Sequence, residues 1–500
     1  MPSSQLSDAP PLPDARTTAW SPFALTILLL LAAFALRIAL MLASGAGLHV
    51  DEAQYWDWSR HLAWGYWSKP PGIAALIAAS TALFGHGVLG VRLFGMACWP
   101  LAGAVLYALG RSMGGRWVGA WAAVLFIGTP AAGMLGLVAT TDGPLVLCWA
   151  LAMAGCWQGW QATERGDAGW RWWLLAGVAG GLGLLSKYTM GAFAISALWL
   201  AWRAPRTRVG LLLAAGVGLL VFAPQIAWNA MNHWPTLTHT ADITVEAAPV
   251  TGVGRLASVG EFAAGQVLML GPVALLAAFL LRRGRAAAPS QPQAASFALA
   301  CAIPLLAIGV LQASHAKAQI NWAGPFLAGA CLWLALRARS PARPGALALA
   351  WVAGVALAAF AAQITTFVPG PTGARIDPWA RMRGWTPALD ALVPALQAHP
   401  ALPIAAPDRT LAAHASYIWR GLGREVKGWP PEGAPRNHYE QFRPLRQPGE
   451  PWPQAVLVLI PGEPEPFVRS AYREWQRLAV ARRDGSDIVL WLASGPAAAR

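Results

Sequence analysis

From Pro22 to about residue 367 the chain is a succession of apolar runs, and nothing else in it limits the fold so strongly. Eleven runs read as spans: Pro22–Ala43, then about 88–110, 117–138, 143–160, 172–186, 188–202, 209–228, 259–281, 295–313, 320–336 and 345–367. Crossing a bilayer takes about 20 apolar residues as a helix. Lipid offers no partner to backbone amides, so each run is expected to close its own hydrogen bonds as a helix. One soluble core could not hide them: 56% of the 500 residues are hydrophobic and 12% charged, against about 25% charged in soluble domains. The runs on either side of Lys187 are short for full spans. Gly72–Phe84, with 13 residues, suits an interfacial or re-entrant helix. The expected fold is a polytopic α-helical membrane protein of about 11 spans over 22–367.

Charge placement gives the orientation. Arg111 and Arg116, Arg165 and Arg171, Arg203, Arg206 and Arg208, Arg282, Arg283 and Arg285, and Arg337, Arg339 and Arg343 fall on every second connection, on the side of the N-terminus. Basic connections stay in the cytoplasm, so the formal charge of +14 implies no nucleic-acid partner. Residues 1–21, polar and rich in Pro and Ser, read as a disordered cytoplasmic tail. Ala43-Ser44-Gly45 imitates a signal-peptidase site, but the tail is not basic and the apolar run is too long for a signal core, so the first run is expected to stay as an anchor. The opposite connections, and residues 368–500, are then on the outer side of the membrane. That last region is charged and Pro-rich. Ala455–Ile460 and Asp487–Leu492 read as buried strands, and Thr386–Gln397, Thr410–Trp419 and Pro466–Gln476 as helices, which predicts a small α/β domain. All five cysteines lie in apolar runs, so no disulfide framework is implied.

The first outer connection, 44–87, holds HVDEAQYWDWSRHLAWGYWSKPPG from His49 to Gly72. Trp and Tyr suit the level where lipid meets water. The acids Asp51, Glu52 and Asp57 and the cation Lys69 are either solvated charges of an aromatic interfacial loop or the groups of a catalytic loop. Few other ionisable groups face outward. Asp142, in VATTDGPLVL, is either a functional acid at the membrane boundary or a helix N-cap. Lys187 in LLSKYTM and Arg37 near the outer end of the first run are either snorkelling side chains or phosphate contacts. Lys317 has Asn321 and Trp322 nearby and suits either a head group or a polar turn. His239 and Glu261 are weaker candidates. No metal-ligand spacing is present.

Nucleotide sugars and ATP are not available outside the cytoplasm. Acids, a few cations and aromatic faces on that side therefore suit a donor carried in the membrane, a polyprenyl phosphate sugar. A carboxylate takes a proton from an attacking hydroxyl, and cations stabilise charge on the departing phosphate. Asp51 and Glu52 are the candidate catalytic acids. As neighbours they should disfavour full ionisation together, and desolvation should raise either pKa further. Lys69, Lys187 and Arg37 are the candidate phosphate contacts, with Tyr55 and Tyr66 lining the sugar and lipid cavity. A lipid-linked sugar transporter or flippase is the alternative, but it would often show internal repeats, and the sequence has none.

The chain resembles the GT-C membrane glycosyltransferases of the protein O-mannosyltransferase superfamily, and within it the branch of the lipid A aminoarabinose transferases. The resemblance rests on DEAQYWDWSRHLAWGYWSKPPG, GVRLFG at 90–95, ATTDGPL at 139–145, LLSKYT from 184 and INWAGP at 320–325, and spans roughly 20–370. It implies a GT-C fold and inverting transfer from an undecaprenyl phosphate sugar to a glycan, lipid or protein acceptor. It implies that Asp51 and Glu52 are essential and that Lys69 meets the lipid phosphate, with Tyr55 and Tyr66 beside them. The aminoarabinose transferases carry a metal-binding Glu just before Lys-Pro-Pro. Here that position is Ser68, which weakens the expectation of a divalent metal and of that particular activity.

Overall fold

The computed structural model describes residues 21–244, 250–275, 291–337, 344–362, 377 and 379–497. The N-terminal tail, the connections carrying Arg282, Arg283, Arg285, Arg339 and Arg343, and residues 368–376 lie outside the described residues. Helices occupy the expected runs: α1 Pro22–Ser44, α2 Val50–Ser59, α3 Gly72–Phe84, α4 Val88–Gly114, α5 Arg116–Ile127, α6 Pro130–Met134, α7 Asp142–Glu164, α8 Trp170–Ser186, α9 Phe193–Arg203, α10 Arg208–Met231, α11 Pro235–Thr244 and α12 Val253–Leu270. Pro292–His315, Phe326–Arg337 and Pro344–Ala362 follow.

Among the described residues four helical stretches are long and apolar enough by themselves to cross a membrane: α1, α4, Pro205–Met231 (which contains α10) and Pro292–His315. A fifth is broken, since α5 and the following Pro130–Leu137 meet at 63°. The break falls at Gly128-Thr129-Pro130. The Thr129 hydroxyl accepts from Ala132 N–H and caps the new turn, and proline at the first helical position suits a restart. The remaining runs are helical but shorter or more polar, as in α7, whose Trp149, Met153 and Trp160 are buried in the bundle. On α10, Val209, Leu212 and Leu220 stay largely exposed, an apolar surface that suits lipid rather than water.

The C-terminal domain is a five-stranded sheet in the order β2-β1-β3-β5-β4. Its strands are β1 Ile404–Ala406, β2 Val426–Gly428, β3 Ala455–Pro461, β4 Tyr472–Arg483 and β5 Ser486–Pro496. β1 pairs in parallel with β2 and β3, while β5 runs antiparallel to β3 and β4. The expected strands at 455–460 and 487–492 are present. The expected helix over Pro466–Gln476 is a correction: helix ends at Arg469, and Tyr472 begins the long edge strand β4. Asp484 and Gly485 both have positive φ, so they form a tight hairpin that commits the preceding segment to pairing with β5. Cross-strand pairing outweighs the helix preference of Glu474, Gln476 and Arg477.

This domain is not an appendage. Ala53, Trp56, Ile73 and Ile77 of the first outer loop share one buried cluster with Leu389, Leu411, Ala415, Leu457 and Leu490. Helix α2 lies against Arg409–Ile418 on one side and α3 on the other.

Candidate active site

The site is built on α2, and Glu52 fixes that helix in place. His49 caps it, its Nδ1 accepting Asp51 N–H, while His49 N–H donates to Glu52 Oε2 at 2.9 Å. Glu52 is 1% exposed and paired with Arg92 of α4, whose Nε and Nη2 donate to its two oxygens at 2.8 and 2.7 Å. Ala139 N–H donates to Oε1 at 2.7 Å. The carboxylate is thus saturated by four donors and closed to solvent. Glu52 acts as an anchor, and the geometry does not offer it to a substrate. Burying a charge is tolerated only when it is paired and fully hydrogen-bonded, and both conditions are met.

One residue earlier the environment reverses. The Asp51 carboxylate is 42% exposed. Arg409, from the first turn of the helix Arg409–Ile418, donates Nη2 to it and Nε to Gln54 Oε1. Burial alone would raise the Asp51 carboxyl, but the Arg409 ion pair, with His49 and Lys69 nearby, holds it below the usual range. The expected rise does not occur at Asp51, because Arg409 faces its carboxylate. At the other end of α2, Asp57 accepts from Arg443 Nη1 at 2.5 Å. The C-terminal domain therefore grips α2 at both ends.

Lys69 reaches the same site from the far end of the loop. A Cβ at Gly72 would lie 2.7 Å from the Leu185 carbonyl, so only glycine allows the end of α8 to come this close. That approach brings Lys187 within electrostatic reach of Lys69. Lys187 is already paired, Nζ to Asp142 Oδ1 at 2.7 Å, and Asn321 Nδ2 donates to the other oxygen at 2.9 Å. Asp142 does not cap α7; Thr141 holds the capping position, and the carboxylate turns instead to Lys187. Lys69 is half-buried and, among the described residues, its ammonium makes no hydrogen bond or ion pair. Burial first and the Lys187 charge second push its pKa down to about 8.

The remaining candidates divide. Tyr55 is buried, its phenol pushed well above the usual range by burial and by Asp51. The Tyr66 hydroxyl accepts from Ala63 N–H and lies 3.1 Å from the Trp58 carbonyl, with its ring stacked on Trp58 at 4.5 Å. Tyr66 therefore shapes the loop rather than facing a substrate. His239 packs its ring 6.1 Å from Trp67, and Thr236 on the same helix donates to the Tyr66 carbonyl at 2.7 Å. Arg37 sits lower in the bundle, buried, its Nη2 donating to the Ile127 carbonyl at 3.2 Å, and it joins none of these groups. Lys317 is exposed; its neighbour Asn321 reaches the site instead. Arg92, Arg409 and Arg443 escaped sequence reasoning. Arg92 carried a signal, as a charge inside an apolar run, whereas Arg409 and Arg443 are ordinary charges in a charged domain.

A divalent metal does not fit these residues. Ser68 offers no carboxylate, and among the described residues no three His, Cys, Asp or Glu side chains are grouped to hold one.

A family model described as dolichyl-phosphate-mannose-protein mannosyltransferase matches residues 68–228. The lipid A galacturonosyltransferase RgtD of Rhizobium johnstonii is 30% identical over 316 residues, covering 60% of this chain and 63% of that protein. The chain thus matches less than two thirds of that relative's length. The crystal structures of ArnT from Cupriavidus metallidurans, apo and bound to undecaprenyl phosphate, superpose with a TM-score of 0.61 at 14% and 15% identity. Each covers 92% of this chain and 97% of ArnT. Of the five sequence pieces that resembled this group, the first two meet the third at Glu52, through Arg92 and Ala139, and the last two meet it at Asp142, through Lys187 and Asn321. With four helical stretches long and apolar enough to cross a membrane, the chain is an integral membrane protein that shares the fold of ArnT and matches the mannosyltransferase family model over residues 68–228.

Proposed function

We propose that this protein is a glycosyltransferase that moves a sugar from a polyprenyl phosphate to an acceptor at the periplasmic face of a bacterial inner membrane, in lipid A or other envelope-glycan modification. In this reading the chain crosses the membrane about 11 times, with its N-terminus in the cytoplasm. The observation that carries the reading is Lys69: an ammonium kept half-buried and unpaired among the described residues, beside a second lysine and one loop away from a part-exposed carboxylate. Such a charge is costly unless an anion completes it, and a lipid phosphate at the membrane surface would do so. Undecaprenyl phosphate in the ArnT crystal structure and the lipid A acceptor in the name of RgtD support donor and acceptor class.

The chemistry follows from placement. The acceptor oxygen attacks the anomeric carbon as the bond from that carbon to the phosphate oxygen breaks, with inversion. The electron pair leaves with the polyprenyl phosphate, where Lys69 and Lys187 stabilise it. The acceptor proton passes to the Asp51 carboxylate. Asp142, paired with Lys187 at 2.7 Å, keeps that lysine aimed. The test is transfer by detergent-purified protein from undecaprenyl phosphate sugars to lipid A, in which no second compartment exists. Product formation separates a transferase from a flippase, and absence of product with every donor and acceptor, despite donor binding, would reject the proposal.

A further inference from the structure

We propose that the cleft between α2 and the C-terminal domain is the acceptor site, and that it takes a head group bearing a phosphate or carboxylate. This rests on the transferase reading and adds the acceptor's chemistry to it. The cleft, of about 460 Å³, has Asp51 and His49 on one wall and Arg381, Arg409, His414 and Arg483 among the groups facing them. Lys69 is not part of its lining. Asp51 thus lines this cleft, while Lys69, near enough for its charge to act on Asp51, lies outside the lining.

The charges in the cleft do not balance. Asp484 is taken by Arg483 at 3.0 Å and Asp51 by Arg409. Arg381 is exposed, and among the described residues its side chain has no hydrogen bond or ion pair. The first turns of two ten-residue helices, α2 and Arg409–Ile418, border the same space, each already capped, by His49 with Glu52 and by Asp408. His414 adds a buried Nε2 without a partner. A neutral sugar would be held by an open aromatic face, but Trp385 has none to give. His414 stacks on it at 4.1 Å and the Arg483 guanidinium lies 4.0 Å from its ring centre. What the cleft offers is unspent positive charge. An anion drawn to Arg381 and to the exposed edge of Arg409 would also loosen the hold of Arg409 on Asp51, freeing the base when the acceptor arrives.

The experiment uses the full chain in detergent at fixed ionic strength. Binding is measured for bisphosphorylated lipid A, for dephosphorylated lipid A, and for dephosphorylated lipid A carrying acidic core sugars. Stabilisation by undecaprenyl phosphate reports the donor side. The wild-type protein should bind the phosphorylated or the carboxylated form on the order of tenfold more tightly than the form lacking both, as one charge-assisted hydrogen bond allows. Arg381→Glu should remove that preference, Arg381→Lys should restore most of it, and neither should alter the response to undecaprenyl phosphate. Preference for phosphate alone or carboxylate alone names the source. Equal binding of all three, or an Arg381→Glu protein with its preference intact, would overturn the assignment even if sugar transfer is observed. Absence of transfer with intact Arg381-dependent binding would instead count against the transferase reading.

Discussion

Replacing Lys69 by Met should make the protein more stable and unable to use its donor. The Lys69 ammonium is half-buried with no counter-ion among the described residues, and burial together with Lys187 lowers its pKa from 10.5 to about 8. At 1.36 kcal/mol per pH unit this corresponds to about 3 kcal/mol of destabilisation at neutral pH, reduced to about 1–3 kcal/mol by partial solvent screening. The sign follows from proton binding. Between about pH 8 and 10.5 the unfolded chain holds the proton more tightly, so the cost is fully present below pH 8 and disappears as pH rises towards 10.5. Met has a similar length and no charge, and should recover that energy.

The assay is thermal unfolding of purified protein at about pH 7 and about pH 10, each with and without undecaprenyl phosphate. Lys69→Met should melt higher at the lower pH, lose most of its advantage at the higher pH, and show no stabilisation by the lipid phosphate. Wild-type protein should be stabilised by the lipid, with affinity flat below pH 8 and weakening by up to about tenfold per pH unit above it, since only the cation attracts the phosphate. A Met variant that melts lower than wild type at neutral pH, or that still responds to undecaprenyl phosphate, would refute the reasoning.

Asp51→Asn should lower transfer by about 10²–10⁴-fold while the response to undecaprenyl phosphate survives; near-normal transfer would remove Asp51 as the base. Glu52→Gln leaves Arg92 buried without its counter-charge and should cost about 3–5 kcal/mol, seen as lost folded yield, and the paired change Glu52→Met with Arg92→Met should restore much of it. Reporter fusions beyond about residue 370 should be active only for a periplasmic enzyme if positive connections stay inside; a cytoplasmic signal there would reverse the orientation.

The helical runs were legible because lipid leaves the backbone no other way to satisfy its amides. Gly72–Phe84 could be set apart on length alone, and it forms α3 with those bounds. The strands Ala455–Pro461 and Ser486–Pro496 showed as apolar runs in a polar region. β4 did not, because its Arg- and Glu-rich sequence owes its conformation to the Asp484-Gly485 turn and to β5. The individual groups of the site were legible for a related reason: Asp51, Lys69, Asp142 and Lys187 stand out wherever charge is scarce. Their partners were harder. Nothing local in RTLAAHASYI distinguishes Arg409, and the 358 positions between it and Asp51 are bridged only by the packing of a domain whose own pattern is that of an ordinary α/β layer.

The contrast between Asp51 and Glu52 shows how the fold produces a usable carboxylate. Adjacent residues on a helix point about 100° apart, so one turn of α2 can send one acid into the bundle and the other into the cleft. Glu52, locked by Arg92, Ala139 and His49, sets the rotation and depth of the helix. Asp51 then has its position decided for it and needs few bonds of its own, which leaves part of its carboxylate accessible. The helix N-terminus favours its ionised form, and Arg409 reinforces this until a substrate competes for the guanidinium. Stability resides in the buried acid and, in the proposed mechanism, reactivity in the exposed one. A change at Glu52 should therefore appear first in folding, and a change at Asp51 first in transfer, although the two residues are joined by a single peptide bond.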